Sequence, residues 1–152
     1  MPGCHIPEGF HTVNPYLTVD GADRLIRFLK VAFGAEEVLR MEHPPGKVGH
    51  AALRIGDSMI ETADATDEWK ATPCSIHIYV PDTDATYQAA LKAGATTLRE
   101  PADMFYGERG ASVLDPVGNL WHIATLTEEL TLEEVNQRVA RMLEEQSERG
   151  ET

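Results

Sequence analysis

Two short runs of the chain place chemistry-capable side chains at alternate positions. Ser75, His77 and Tyr79 are separated by Ile76 and Ile78, and Asn14, Tyr16 and Thr18 are separated by Pro15 and Leu17. On an extended strand, residues two apart point to one face. If Ser75 faces a pocket, so do His77 and Tyr79; if Asn14 does, so do Tyr16 and Thr18. Tyr16, Tyr79 and Met59 would give such a pocket its apolar lining. Tyr106, Glu108 and Arg109 form a third group. The guanidinium fork of Arg109 suits a carboxylate or phosphate, and an ion pair with Glu108 or Asp103 would satisfy it equally well. His50 opens a strand candidate and reads more simply as an edge histidine than as a pocket residue. His43 precedes Pro44-Pro45 and reads as exposed loop. Cys4, His5 and His11 lie in a polar leader too loose to form a metal cluster. Cys74 has no basic neighbour in sequence to activate it and reads as an inert buried thiol. The sequence holds no Gly-rich phosphate loop, no nucleophile elbow and no Cys-x-x-Cys.

Composition narrows the partners. The formal net charge is −12, which disfavours nucleic acid and anionic membrane surfaces. It leaves neutral or cationic small molecules. Hydrophobic residues make up 42% of 152 positions, enough for one domain with a real core. No stretch is apolar for the length of a membrane span. Residues 1–10 lack the basic and apolar regions of a signal peptide. Two cysteines far apart give no disulfide framework. These features predict a cytoplasmic protein.

Elements must hold the candidate residues in place. Residues 1–11 read as a leader. The run 13–19 reads as a strand, followed by a helix from an Asp20 cap to about Phe33. Ala22, Leu25, Ile26, Leu29 and Phe33 recur at helical spacing, and Gly34 ends the helix. Strands are expected over 36–42, 48–55 and 58–63, the last two joined by a Gly56-Asp57 turn. A polar linker spans 64–73. The order then repeats: strand 75–80, helix 82–93, and strands 96–100, 106–114 and 120–125. A final amphipathic helix is expected over 131–147, capped by Thr131 and Glu134, with Leu132, Val135, Val139, Met142 and Leu143 as its apolar stripe.

The two halves keep a constant offset. Val19 and Val80 each close a first strand (80 − 19 = 61), and Glu61 and His122 sit at matching places in a last strand (122 − 61 = 61). A slip of one residue would turn every strand side chain to the wrong face, so a constant offset is informative. The fold class is therefore α+β: two tandem βαβββ modules, about 12–64 and 74–126, forming a cupped mixed sheet around one pocket. Residues 128–152 add a C-terminal amphipathic helix and tail.

Over residues 12–127 the chain resembles the vicinal oxygen chelate superfamily, also called the glyoxalase/bleomycin resistance/dioxygenase superfamily. The segments that carry this are Asn14-Pro15-Tyr16-Leu17, Ala32-Phe33-Gly34-Ala35, His50-Ala51-Ala52-Leu53 with Ile55-Gly56-Asp57-Ser58, Lys92-Ala93-Gly94-Ala95, Tyr106-Gly107-Glu108-Arg109, and Asp115-Pro116-Val117-Gly118-Asn119-Leu120-Trp121. In this order and spacing they resemble the PhnB-like, glyoxalase-related branch.

The resemblance implies a site where the modules meet. In metal-dependent members each half gives one ligand from its first strand and one from its last. Carried over strand by strand, these positions fall on Asn14, Glu61, Ser75 and His122. Only Glu61 and His122 are of ligating type, and they become the catalytic candidates. Two ligands rarely hold a divalent ion. His77, one pleat from Ser75, would complete a Glu61, His77 and His122 set suited to iron, zinc, manganese, nickel or cobalt. The pocket lining would be Asn14, Tyr16, Met59, Ser75, Tyr79 and Arg109. Two functions follow from the resemblance. One is a metal-dependent lyase, isomerase or dioxygenase acting on a small oxygenated substrate. The other is a metal-free protein that binds or sequesters a small molecule, as bleomycin-resistance members do. Family analogy, with sheet edges to cover, also predicts a homodimer.

Overall fold

A computed structural model describes residues 3–150. β1 (Tyr16–Val19) leads into α1 (Ala22–Phe33), then β2 (Glu36–Glu42), β3 (Val48–Ile55) and β4 (Ser58–Asp64). The second module repeats this as β5 (Ser75–Tyr79), α2 (Thr83–Lys92), β6 (Thr96–Met104), β7 (Glu108–Leu114) and β8 (Leu120–Leu126). α3 (Leu132–Glu148) follows. Each module folds into one four-stranded mixed sheet, ordered β1-β4-β3-β2 and β5-β8-β7-β6. The first strand of each pairs parallel to the last, and the other pairs are antiparallel. The expected tandem βαβββ architecture and C-terminal helix are both present.

The boundaries differ from expectation where local hydrogen bonding intervenes. β1 starts at Tyr16 because Asn14 is drawn into a turn with His11: His11 N donates to Asn14 Oδ1 (3.0 Å) and Asn14 Nδ2 donates to His11 O (2.7 Å). Asp20 does not cap α1. The cap position is Gly21, in a left-handed conformation (φ 106°), and the missing acceptor comes from the far end of the module. Asp64 Oδ1 accepts from the backbone N–H of Gly21 (3.1 Å) and Ala22 (2.9 Å), and Asp64 Oδ2 accepts from Val48 N (2.7 Å). β6 runs on to Met104 through register irregularities, carrying Pro101 along a sheet edge where no ladder donor is needed.

Both helices lie on the inner sides of the sheets and against each other. α1 buries Leu25, Ile26, Phe28 and Leu29, each stabilising by about 1.5–3 kcal/mol. The Phe33 ring sits 4.8 Å from Trp121 of β8. Leu17, Val19, Leu53 and Ile60 of the first sheet share one core with Val113, Trp121 and Ile123 of the second. Since the inner faces of both sheets converge on that core, their other faces look outward on opposite sides of the molecule.

The ends are held less firmly. α3 has the expected Thr131–Glu134 capping box, and none of its residues is fully buried. Arg138 ties it down, donating to Phe105 O (3.0 Å) and Glu128 Oε2 (2.7 Å). Among the described residues no helix is long and apolar enough to cross a membrane.

Candidate functional site

Strand register decides which side chains share an outer face. β1 pairs with β4 so that Tyr16 stands beside Glu61. β5 pairs with β8 so that His77 stands beside His122. These positions match across the repeat (77 − 16 = 61; 122 − 61 = 61). The neighbours of Glu61 and His122 are thus Tyr16 and His77, one pleat on from Asn14 and Ser75. Asn14 is spent on the leader turn, and Ser75 is exposed beside Leu120.

On the first sheet the polar groups gather in one row. Tyr16 Oη is 3.2 Å from His50 Nδ1, with the rings stacked at 5.7 Å. His50 Nε2 is 3.7 Å from Glu61 Oε1. His50, read as an edge histidine, is thus the centre of this row. Burial, and then the Glu61 charge, raise the Tyr16 phenol above its ordinary range. Met59 is buried and lies next to Gly9 of the leader. His11 Nε2 fastens that leader to Asp57 O at 2.6 Å.

The second sheet carries an open depression of about 280 Å³. Its rim includes His77, His122, Glu108, Tyr106 and Arg99, and its floor is Gly110 and Ala124. The His77 and His122 rings are 6.4 Å apart. His122 Nδ1 bonds Ser112 Oγ at 2.8 Å. Glu108 Oε1 accepts from Tyr79 Oη (2.6 Å), and Glu108 Oε2 lies 3.9 Å from His77 Nε2. Burial, then the charges of His77 and Arg99, lower the His122 pKa, so the neutral imidazole is favoured at pH 7. The Tyr79 phenol is raised, first by its bond to Glu108.

Arg109 is elsewhere. It donates to both Asp84 oxygens and to Asp103, so the ion-pair alternative describes it, with Asp84 and Asp103 as the acids rather than Glu108. Arg99 and Gly110 were not singled out in the sequence. Irregular pairing along β6 hides the face of Arg99, and a strand glycine advertises no chemistry. Cys74 is a free, partly buried thiol, and Trp69 is 68% exposed in the linker.

Among the described residues, no three of His, Cys, Asp and Glu converge to hold a metal ion. Glu61 belongs to the first sheet, and His77 and His122 to the second, so one copy of the chain does not assemble that trio.

Comparison with known proteins gives a consistent picture. The model of the Glyoxalase/Bleomycin resistance protein/Dioxygenase superfamily matches residues 9–123. An uncharacterised protein of Mycobacterium bovis is 35% identical over 134 residues, covering 81% of this chain and 88% of its own. Among solved structures, TioX from Micromonospora sp. ML1 superposes with a TM-score of 0.63 at 23% identity, over 80% of this chain and all of its own. The fosfomycin resistance protein FosX from Mesorhizobium loti gives 0.58 at 19% identity, over 82% and 95%. At these identities the structural likeness speaks for the fold.

Proposed function

Since the chain belongs to the glyoxalase/bleomycin resistance protein/dioxygenase superfamily, we propose that it binds a small oxygenated molecule against the outer face of its second module. The observation that carries this reading is the depression bordered by His77, His122 and Glu108, with Gly110, Ala111, Ile123 and Ala124 also lining it. Polar groups converging on a concave surface over a small-residue floor are the ordinary makings of a ligand site. Among the described residues of one copy no donor set fits a resident metal, so binding is assigned to the protein's own side chains. The Tyr79 hydroxyl holds Glu108 in place, and Ser112 fixes the His122 ring. Both arrangements reduce the entropy lost on binding.

A thermal-shift screen of small oxygenated metabolites and drugs tests this. A ligand that binds only the native state raises the melting temperature. The shift should disappear in Gly110→Val, which fills the depression. Hits that persist unchanged in that variant would place the site elsewhere.

A second reading rests on the adjacency of His77 and His122. These two with Glu61 of a second copy would form a two-histidine, one-carboxylate set, and a homodimer would then be part of the site. Such a set suits divalent iron, zinc or manganese and would supply Lewis-acid chemistry. Elemental analysis of untagged protein, with its mass in solution, separates the readings. About one ion per chain in a dimer, lost in Glu61→Gln, favours the enzyme. Metal-free protein that still binds ligand favours the binding module.

A further inference from the structure

Two features of the second-module depression are unexplained by the fold. The first is Gly110. It is buried in the middle of β7, and it is not among the glycines with positive φ. A Cβ there would meet Arg99 Nη2 at 3.6 Å and Ile123 O and Met104 Cγ at 3.7 Å, all ordinary contacts. Neither backbone conformation nor packing asks for glycine, and glycine weakens a strand interior. What its missing side chain does is keep the floor low, at the point where Arg99 reaches over.

The second is Arg99 itself. Arg27, Arg40, Arg54, Arg109 and Arg138 each bond a carboxylate, and of the described arginines that do not, only Arg99 borders the depression. Among the described residues, no carboxylate lies within ion-pair distance of Arg99, although its side chain borders the depression beside His122. The one acid on the rim, Glu108, accepts from Tyr79 through Oε1 and has Oε2 3.9 Å from His77 Nε2. Arg99 therefore brings a guanidinium, a group rich in donors and without acceptors, to the edge of a concave surface, and among the described residues it makes no ion pair there.

We propose that Arg99 anchors an anionic oxygen group of the ligand, a carboxylate or a phosphonate, over the Gly110 floor. This rests on the binding site assigned above and names the chemical class it takes. It runs against the cationic preference that the net charge of −12 suggested. The local field at one arginine in a concavity outweighs a distributed surface charge, which salt screens beyond about 8–10 Å. A planar carboxylate matches the guanidinium fork with two parallel bonds, and a tetrahedral phosphonate can do so as well.

The test is titration of ¹⁵N-labelled full chain with acetate, methylphosphonate and acetamide, followed by amide and arginine Nε–Hε signals. Acetate or methylphosphonate should shift Gly110 and Arg99 saturably, and neutral acetamide should not. Whichever anion binds more tightly identifies the group. Arg99→Gln should weaken binding at least tenfold, as expected for a charge-assisted bond, and Arg99→Lys should recover part of it. Circular dichroism melting checks that each variant folds. Anion binding that is unchanged in Arg99→Gln overturns the anchor. Binding that shifts only residues away from the depression overturns it too. If no anion binds, but a neutral or cationic compound does and Gly110→Val abolishes it, the anionic class fails and the site stands. If Gly110→Val affects no ligand of any charge, the site assignment itself fails.

Discussion

The helices of the two modules begin at equivalent positions and are clamped by different means. α2 has Asp82 at its cap, and that side chain accepts from Ala85 N at 3.0 Å. α1 has Gly21 at the matching place (82 − 21 = 61) and no side-chain cap of its own. The residue that ends the last strand compensates. In the first module this is Asp64, which takes the N–H groups of Gly21, Ala22 and Val48. In the second the matching residue is Thr125 (125 − 64 = 61), one position before β8 ends; it donates to Val80 O and meets the Thr83 hydroxyl. Cap and strand end behave as one unit. Where the cap is glycine, the strand end must be an acid; where the cap is an acid, a hydroxyl suffices.

The outer faces differ in a parallel way. The first module spends its polar groups internally, in the row Tyr16, His50, Glu61. The second leaves Arg99 without an ion pair among the described residues, near two histidines, and lowers its floor to Gly110. The same topology thus gives one face that is closed chemically and one that is open.

The clamp comparison predicts the largest effect. Asp64→Ala removes three hydrogen bonds at once and strands partly buried backbone donors, so it should cost about 3 kcal/mol. Thr125→Val loses one net hydrogen bond, about 1 kcal/mol. Urea unfolding of the two variants measures both, and equal losses would break the proposed division of labour. Asp64 also sets a pH signature. Burial alone would raise its pKa, but the N–H groups of Ala22, Val48 and Gly21 together outweigh that and hold it below the usual carboxylate value. A depressed folded pKa stabilises above the unfolded value, about 3.9, and that stability is lost as pH falls through the folded one. The gap between wild type and Asp64→Asn should therefore be constant at neutral pH and close below about pH 4.

Much of this architecture was legible because it is written in periodicity. Leu25, Ile26 and Leu29 mark a buried helix face, and the constant offset of 61 fixes the repeat, but not the cross-strand partners: the resemblance matches Asn14 and Ser75 with Glu61 and His122, beside which Tyr16 and His77 stand. The capping box at Thr131 and Glu134 was read directly. Distant contacts were not legible. Asp20 stands next to the helix and does nothing for it, while Asp64, 42 residues beyond Ala22, does the capping. In sequence Arg109 reads equally as an anion ligand or as an ion pair with Glu108 or Asp103, and its second partner, Asp84, comes close only in the fold. Arg99 lies past a register shift in β6, where alternation no longer reports the face.

A smaller effect separates the two faces as binding surfaces. His122→Ala should weaken ligand binding about tenfold, by removing a rim group that Ser112 has oriented. Glu61→Gln should leave binding within about twofold, because its partners are His50 and Tyr16 on the other sheet. Calorimetric titration with a hit from the thermal-shift screen reads both. Equal losses in the two variants would mean that the faces meet in one site, which within this fold requires a second copy.

The smallest effect concerns Tyr79, and it probes how Glu108 is held. The phenol donates to Glu108 Oε1 at 2.6 Å, an acceptor that also faces His77. Losing the phenol proton would place two negative charges at that distance and forfeit the bond, so the Tyr79 pKa lies above the ordinary tyrosine value. In Glu108→Gln the neutral amide can still accept the bond and carries no charge, so the upward shift should largely vanish. Ultraviolet difference titration of Tyr79, assigned with a Tyr79→Phe variant, follows it directly. If instead Tyr79 titrates the same with and without the Glu108 charge, the carboxylate is not held against the phenol. It would then be free to turn toward Arg99, and the second face would be as internally satisfied as the first.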